Sequence, residues 1–167
     1  PLLQISEDSM PDNLVPGLIG SHQERNAVTA IKAVEKLSSD LPVSMLDIFE
    51  GIKHTKLPGR FQSLQWRNRE VFLDVAHNLA GYDALAANCR STFKDNPCDL
   101  IFASLDDKPW REGIELLLPY CKSVHCVPAN SQRAVSPQVL LIHLIDYKQL
   151  SINALIAAYD RLDDCLH

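Results

Sequence analysis

The sequence predicts an α/β fold, with a mostly parallel sheet and helices on both of its faces. Three observations support this prediction. Short apolar runs alternate along the chain with longer segments whose apolar residues recur at helical spacing. Strands that alternate with helices favour parallel pairing, because each helix carries the chain back across the sheet. Apolar residues make up 46% of the 167 residues, which is enough for a packed core.

Composition excludes several classes of protein. The net charge is −5 and no Lys/Arg-rich run occurs, which argues against nucleic acid or an anionic membrane as the main partner. The five cysteines show no C-x-x-C spacing, and Cys121 and Cys126 beside His125 lack a second pair of zinc ligands. We therefore expect reduced thiols in a cytoplasmic protein. Pro1 is no initiator and no signal peptide follows it, so we expect the chain to start inside a longer protein.

The first part of the chain predicts two helices after an irregular segment with one short strand at 2–5. Ser21 and Glu24 match a capping box, and apolar residues at helical spacing continue to Leu37. Ser44 is a plausible N-cap for a second, shorter helix. Its apolar residues fall on one face: Met45, Ile48, Phe49 and Ile52.

Beyond a polar linker at 53–56 the pattern changes to strands and helices in alternation. A hairpin is predicted, with strands at 61–66 and 71–75 and a polar turn at 67–70. Further strands are predicted at 100–105 and 123–127. Further helices are predicted at 82–93, from Pro109, from Ser136 and from Ser151 to Leu162.

Two short motifs place polar side chains beside turns. Leu-Pro-Gly-Arg-Phe-Gln at 57–62 puts Arg60 next to a Pro-Gly turn. Asp-Val-Ala-His-Asn at 74–78 follows a strand that we expect to be buried, at the point where a helix begins. Open α/β sheets bind ligands just past the carboxyl ends of their strands. The two motifs therefore indicate a ligand site.

Each polar residue of these motifs also has a structural explanation. A lone arginine such as Arg60 is usually a surface residue, although a guanidinium also fits phosphate oxygens well. Asp74 could end a strand in solvent or accept ribose hydroxyls. Asn78 is well suited to cap the following helix. A histidine at the position of His77 is more often structural than catalytic.

The two motifs resemble the opening of the C-terminal domain of folylpolyglutamate synthase/dihydrofolate synthase, a family of the Mur ligase superfamily. His-Gln-Glu-Arg-Asn at 22–26 resembles the His-Gln-x-x-Asn motif on the last helix of that family's ATPase domain. The resemblance implies the end of the central ATP-binding domain at 1–53. It also implies a Rossmann-like glutamate-ligase domain at 54–167 that lacks its last strand. Leu79 departs from the family pattern, which usually has proline there.

The resemblance also implies roles for individual residues. Asn26 would contact the adenine of ATP, Arg60 the phosphates and Asp74 the ribose. His77 would be catalytic and would lie, with Asn78, on the substrate side of the cleft. Two further loops resemble family loops only weakly, Leu-Asp-Asp-Lys at 105–108 and Ser-Gln-Arg-Ala at 131–134. We expect a structural role for the first loop and no substrate contact by the second.

The implied activity is an ATP-dependent amide ligase that adds L-glutamate to dihydropteroate or tetrahydrofolate through an acyl phosphate. ATP and Mg²⁺ would be required, with the metal held mainly outside this chain and no metal ligand within it. No G-x-x-x-x-G-K-[ST] phosphate-binding loop occurs, so we expect this fragment to be inactive alone. We also expect a monomer with no nucleic-acid or membrane partner. Another Mur-type amino-acid ligase and a non-catalytic α/β interaction domain remain alternatives.

Overall fold

The computed structural model describes residues 14–37, 40, 42–148 and 155–166. These residues form two compact units, of which the first ends at Val75 and the second begins at Ala76. The predicted strand at 2–5 lies outside the described residues. The predicted domain boundary at 53/54 concerns the domains of the complete enzyme and stays a prediction.

Two helices of the first unit share a small core. Helix α1 spans Ser21–Leu37 and helix α2 spans Met45–His54. The predicted cap of α2 is confirmed, because the Ser44 hydroxyl accepts the backbone N–H of Asp47 at 3.1 Å. The core contains Leu14, Ile31 and Ile48, with Val34, Met45, Phe49 and Ile52 packed around them. The apolar spacing of both helices therefore predicted which side chains meet.

The predicted hairpin is present, but the second strand starts earlier than predicted. Strand β1, Gln62–Trp66, pairs antiparallel with β2, Arg69–Leu73, through a two-residue turn. Arg67 and Asn68 in this turn have φ of 47° and 61°, the geometry that matches the twist of hairpin strands. Arg69 and Glu70, which we expected in the turn, instead face Trp66 and Gln65 across the hairpin.

The expectation that the strand before Asp74 is buried is wrong. Strand β2 is no more than half-buried and pairs only with β1 among the described residues. The turn supplies left-handed backbone at two adjacent positions, so the chain reverses tightly and an antiparallel pair forms without a crossover helix.

The second unit is a three-stranded parallel sheet flanked by helices, in the order β3-β4-β5. A 3-10 turn at Leu118–Tyr120 leads from α4 into β4. The strands are β3, Cys98–Phe102; β4, Cys121–Cys126; and β5, Leu155–Ala158. The helices are α3, Leu79–Phe93; α4, Trp110–Leu117; α5, Pro137–Lys148; and α6, Leu162–Cys165.

The core of this unit lies between the sheet and the helices. Its most deeply buried side chains are Ile114, Leu117, Val124, Cys126, Leu140 and Leu144. Ser136 caps α5 as predicted, accepting the backbone N–H of Val139 at 3.2 Å. Pro109 lies at the N-cap of α4 rather than in its first turn. Strand β3 is shorter and less buried than predicted, with Ile101 exposed.

The predicted last helix is wrong where the structure describes it. Residues Leu155–Ala158 form β5, which pairs in parallel with β4. The Tyr159 N–H continues this pairing by donating to the Cys126 carbonyl at 2.9 Å. A short apolar run fits either a strand or one buried helical turn, so periodicity cannot decide between them. Here the unpaired edge of β4 decides, because its backbone groups need hydrogen-bond partners.

A chain of polar side chains crosses the sheet and links its strands. The Ser123 hydroxyl donates to Asp99 Oδ1 at 2.5 Å, so its oxygen must accept from His125 Nε2 at 3.0 Å. The other ring nitrogen of His125 then accepts from the Tyr159 hydroxyl at 3.2 Å. Burial alone would raise the pKa of the Asp99 carboxyl, but hydrogen bonds from Ser123 and Lys122 hold that pKa below its ordinary value.

Ser123→Ala is expected to lower the free energy of unfolding by about 1–2 kcal/mol, because it removes the link between Asp99 and His125 inside the sheet. Urea denaturation of the purified chain measures this. Ser91→Ala is the matched control, since the Ser91 hydroxyl is exposed and bonds only within α3. Equal unfolding free energies for the two variants would show that the polar chain does not stabilise the sheet.

Candidate functional site

The Pro-Gly turn before β1 is held against the end of the hairpin. Gly59 has a φ of 70°, and a Cβ there would lie 2.7 Å from Val75 Cγ1. The Gly59 carbonyl accepts the Val75 N–H at 2.9 Å, and its own N–H donates to Gln62 Oε1 at 3.1 Å. Only glycine tolerates this conformation and this close approach. The motif at 57–62 is therefore a rigid support for Arg60.

Asp74 completes this support. Phe61 has a φ of 45°, and its backbone N–H donates to Asp74 Oδ2 at 2.8 Å. The Phe61 ring is buried against Phe72, with ring centroids 4.8 Å apart. Asp74, directly after β2, thus orders the residue that follows Arg60. Sequence reasoning did not predict this structural role.

Helix α1 adds a histidine and an arginine to the same neighbourhood. Burial lowers the pKa of His22, the Asp74 carboxylate opposes that change, and the positive charges of Arg25 and Arg60 lower the pKa further. Arg25, Arg60 and Asp74 are therefore each within electrostatic range of His22. The imidazole is neutral at pH 7, so the cluster combines two cations, one carboxylate and a neutral hydrogen-bonding ring.

This charged cluster, as we call His22, Arg25, Arg60 and Asp74, contains two residues to which no role was assigned from the sequence. His22 was noted only as part of a motif, and Arg25 as one of its variable positions. Their spacing was the available signal, since positions three and four apart share one face of a helix. What the sequence could not show is that this face approaches Arg60 and Asp74.

Asn26 lies one helical turn beyond His22 on the same face of α1. Its side-chain N–H₂ donates to Oε1 of the buried Gln23 at 2.9 Å, which orients the amide. One amide N–H and the carbonyl oxygen carry no other hydrogen bond among the described residues. A donor and an acceptor side by side can pair with the edge of an adenine base.

His77 and Asn78 belong to the second unit. Asn78 is the N-cap of α3, because its Oδ1 accepts the Gly81 N–H at 2.8 Å. The structural explanation for this residue is thereby confirmed. His77 directly precedes the cap and is exposed. The substrate roles of both residues stay predictions.

The two weakly matching loops meet at the carboxyl ends of β3 and β4. Leu105 and Ala134 form an isolated bridge, and the Asp106 N–H donates to the Arg133 carbonyl at 2.9 Å. The Arg133 guanidinium pairs with the Asp107 carboxylate at 3.1 Å. These bonds hold the two loops together, which is a structural role for both of them.

The described ranges also set limits on other kinds of site. Within them, no group of three or more His, Cys, Asp or Glu side chains is placed to hold a metal ion. No helix in the same ranges is long and apolar enough to cross a membrane.

No protein-family model matches the chain. The dihydrofolate synthase/folylpolyglutamate synthase of Escherichia coli is 30% identical over 153 residues, or 92% of this chain and 33% of that protein. The protein of the same name from Bacillus subtilis is 29% identical over 131 residues, or 77% of this chain and 30% of that protein. The chain thus spans about a third of the length of these curated relatives.

A shorter similarity is to the UDP-N-acetylmuramoyl-L-alanyl-D-glutamate–L-lysine ligase of Streptococcus pneumoniae. The two are 42% identical over 62 residues, which is 36% of this chain and 12% of that ligase.

Solved structures agree with these sequence similarities. Escherichia coli FolC in complex with ADP superposes with a TM-score of 0.75 at 26% identity, covering 93% of this chain and 34% of that chain. Mycobacterium tuberculosis folylpolyglutamate synthase with ADP superposes with a TM-score of 0.78 at 26% identity, covering 89% and 32%. A second Escherichia coli FolC structure, with DHPP and ADP, has a TM-score of 0.69, also at 26% identity, and covers 89% and 37%.

The parallel sheet, its flanking helices and these superpositions define the C-terminal domain type of the Mur ligase superfamily. Within that superfamily the chain corresponds to the C-terminal portion of the dihydrofolate synthase/folylpolyglutamate synthase family. The resemblance that the motifs indicated is confirmed, as is the α/β fold class.

The charged cluster predicts a characteristic titration of His22. Its pKa should lie below the ordinary value of 6.5. Arg60→Gln should raise the pKa by removing a nearby positive charge, and Asp74→Asn should lower it by removing a negative one. NMR titration of the purified chain measures these shifts. Arg69→Gln in β2 serves as the control and should leave the His22 pKa unchanged. Shifts of the opposite sign would show that the charges of Arg60 and Asp74 do not set the pKa of His22.

Proposed function

We propose that the charged cluster is this chain's contribution to binding ATP, in a ligase that adds L-glutamate to a dihydropteroate or tetrahydrofolate. The observation that carries the proposal is the convergence of Arg25, Arg60, Asp74 and a neutral His22 beside a rigid turn. Polyphosphates are bound by guanidinium groups, and a carboxylate accepts ribose hydroxyls. One nucleotide thus accounts for both signs of charge in the cluster.

Each residue has a distinct task in this proposal. Arg60 binds phosphate oxygens and stabilises the negative charge that develops there during phosphoryl transfer. Asp74 accepts the Phe61 N–H through one oxygen, and because a carboxylate has about four acceptor positions it can also accept ribose hydroxyls. Asn26, oriented by Gln23, pairs with the adenine edge.

The acceptor side of the reaction is assigned to His77 and Asn78. His77 is exposed and lies three residues beyond Asp74, so the chain has already passed the proposed nucleotide contact at this position. The Asn78 oxygen caps α3, which leaves its amide N–H₂ group as the part that can bind substrate. ATP supplies the phosphoryl group that activates the carboxylate for attack by the glutamate amine.

The missing parts of the machinery are also part of the proposal. The chain contains no phosphate-binding loop, and the described residues contain no metal site. We place both the loop and most of the Mg²⁺ ligation in the remainder of the enzyme, so this chain alone is inactive. The free cysteines fit a cytoplasmic location, and a monomer is proposed.

The relatives support the folate branch over the alternatives. FolC structures contain ADP, and one contains DHPP as well. The similarity to the peptidoglycan-type lysine ligase is higher in identity but covers only 36% of this chain, against 92% for the Escherichia coli folate enzyme. That short match keeps a Mur-type amino-acid ligase as the second candidate. A non-catalytic domain would bind no nucleotide.

In the full-length enzyme, Arg60→Ala is expected to lower kcat/KM for ATP about a hundredfold, because one preorganised charge contact to a transferring phosphoryl group contributes on the order of 3 kcal/mol. Asp74→Asn is preferred to Asp74→Ala, since the amide oxygen still accepts the Phe61 N–H while the charge is lost. Steady-state kinetics measure both variants, with Arg69→Ala as control. Wild-type ATP dependence in both would remove the nucleotide assignment.

His77→Ala is expected to leave ATP affinity unchanged and to raise the KM for glutamate or lower kcat, because the side chain is assigned to the acceptor side. Nucleotide titration and glutamate kinetics on the same preparation separate the two effects. An amino acid other than glutamate as the better acceptor would favour the Mur-type alternative. Unchanged glutamate kinetics in folded protein would show that His77 has only a structural role.

A further inference from the structure

Two cysteines face each other at the start of the parallel sheet. Cys98 is the first residue of β3 and Cys121 the first of β4, and the two are register partners. Neighbouring strands lie about 4.8 Å apart. Disulfide-bonded residues have Cα atoms about 4.4–6.8 Å apart, so the backbone spacing suits a cross-link.

A β-bulge turns both thiols to the same face. After the Cys98–Cys121 pair, the next pair is Asp99 with Ser123, so Lys122 is an extra residue in β4. Lys122 and Ser123 both reach Asp99, at 3.1 Å to Oδ2 and 2.5 Å to Oδ1.

Cys121 therefore points to the other face of the sheet, where its thiol donates to the Leu117 carbonyl of α4 at 3.2 Å. Cys98 also points away from the face of Asp99, because successive side chains of a strand alternate. A regular ladder over these residues would not have oriented the pair in this way.

The two thiols differ in how readily they ionise. When Cys98 ionises, its thiolate can accept the single Cys121 S–H proton in place of the Leu117 carbonyl, and this hydrogen bond lowers the pKa of Cys98 against the opposing effect of burial. The same hydrogen bond, together with burial, raises the pKa of Cys121. Thiolates are the reactive form of cysteine, so Cys98 is the nucleophile of the pair and Cys121 retains its proton. Both are only partly buried, whereas Cys89 and Cys126 are buried.

We propose that Cys98 and Cys121 form an oxidation site that a peroxide converts reversibly into a disulfide. The Cys98 thiolate attacks one peroxide oxygen and becomes a sulfenic acid, while the other oxygen leaves as hydroxide. The Cys121 sulfur then displaces the sulfenic oxygen, and its proton leaves with that oxygen as water. The two sulfurs lose two electrons in total, and hydrogen peroxide is reduced to two waters. A dithiol reverses the step by exchange.

The position of this pair separates it from the proposed ligase chemistry. Asn78, assigned to the acceptor side, caps the amino end of α3, whereas Cys98 begins β3 after the carboxyl end of that 15-residue helix. The cross-link would join β4 to β3 around the segment that contains α4. It would also remove the thiol proton that Cys121 donates to Leu117.

The test uses the purified, reduced chain, treated with a small excess of hydrogen peroxide and then with an alkylating reagent. Before alkylation, the oxidised chain should be lighter than the reduced chain by two hydrogen atoms. Alkylation should then label three of the five cysteines, and proteolysis should yield a fragment in which Cys98 is linked to Cys121. Dithiothreitol should restore five alkylated thiols. Cys98→Ser and Cys121→Ser should abolish the linked product, and Cys165→Ser, the matched control, should retain it.

Three results would overturn the proposal. They are a linkage through Cys89 or another cysteine, oxygen added to Cys98 with no linkage formed, and five unmodified thiols after peroxide treatment. The linkage map of the unsubstituted chain decides among these outcomes even where a serine variant does not fold.

Discussion

The hydrogen bond from the Phe61 N–H to the Asp74 carboxylate holds the turn that supports Arg60 in the charged cluster. Phe61 is a bulky residue held at a φ of 45°, a conformation that costs roughly 1–2 kcal/mol. A hydrogen bond to an ionised acceptor and the burial of the ring against Phe72 offset that cost. Without the carboxylate, the residue after Arg60 would relax to an extended conformation. The guanidinium would then lose its fixed support.

Asp74 therefore has two roles, and substitution by alanine removes both of them at once. One oxygen maintains the backbone of the turn, and the negative charge stabilises the positive charges around it. Burial is the main cause of the lowered pKa of His22, and the positive charges of Arg25 and Arg60 lower it further. A neutral ring adds no third positive charge to those of the two guanidinium groups. Such a local excess of positive charge is complementary to a polyphosphate.

Several parts of this structure could be predicted from the sequence. Apolar spacing predicted the buried face of α2, and the motifs at 57–62 and 74–78 identified Arg60 and Asp74 as candidate site residues. The start of β2 was misplaced because Arg69 and Glu70 are polar residues in an exposed hairpin, where composition does not distinguish strand from turn. The strand β5 was predicted as a helix because four apolar residues fit both periods. The approach of His22 to Arg60 depends on tertiary packing, which local pattern does not encode.

The bulge at Lys122 connects two features that are unrelated in the sequence. By adding one residue to β4 it brings Lys122 and Ser123 together on Asp99, which orders the polar chain through His125 to Tyr159. The same added residue reverses the direction of Cys121 relative to Ser123 and places its thiol beside Cys98. Removing the bulge would shift the register of one strand, so the Asp99 contacts and the thiol pair would be lost together. At the amino-terminal end of the sheet, the contacts of Asp99 on one face and the position of the two thiols on the other therefore depend on the same register shift.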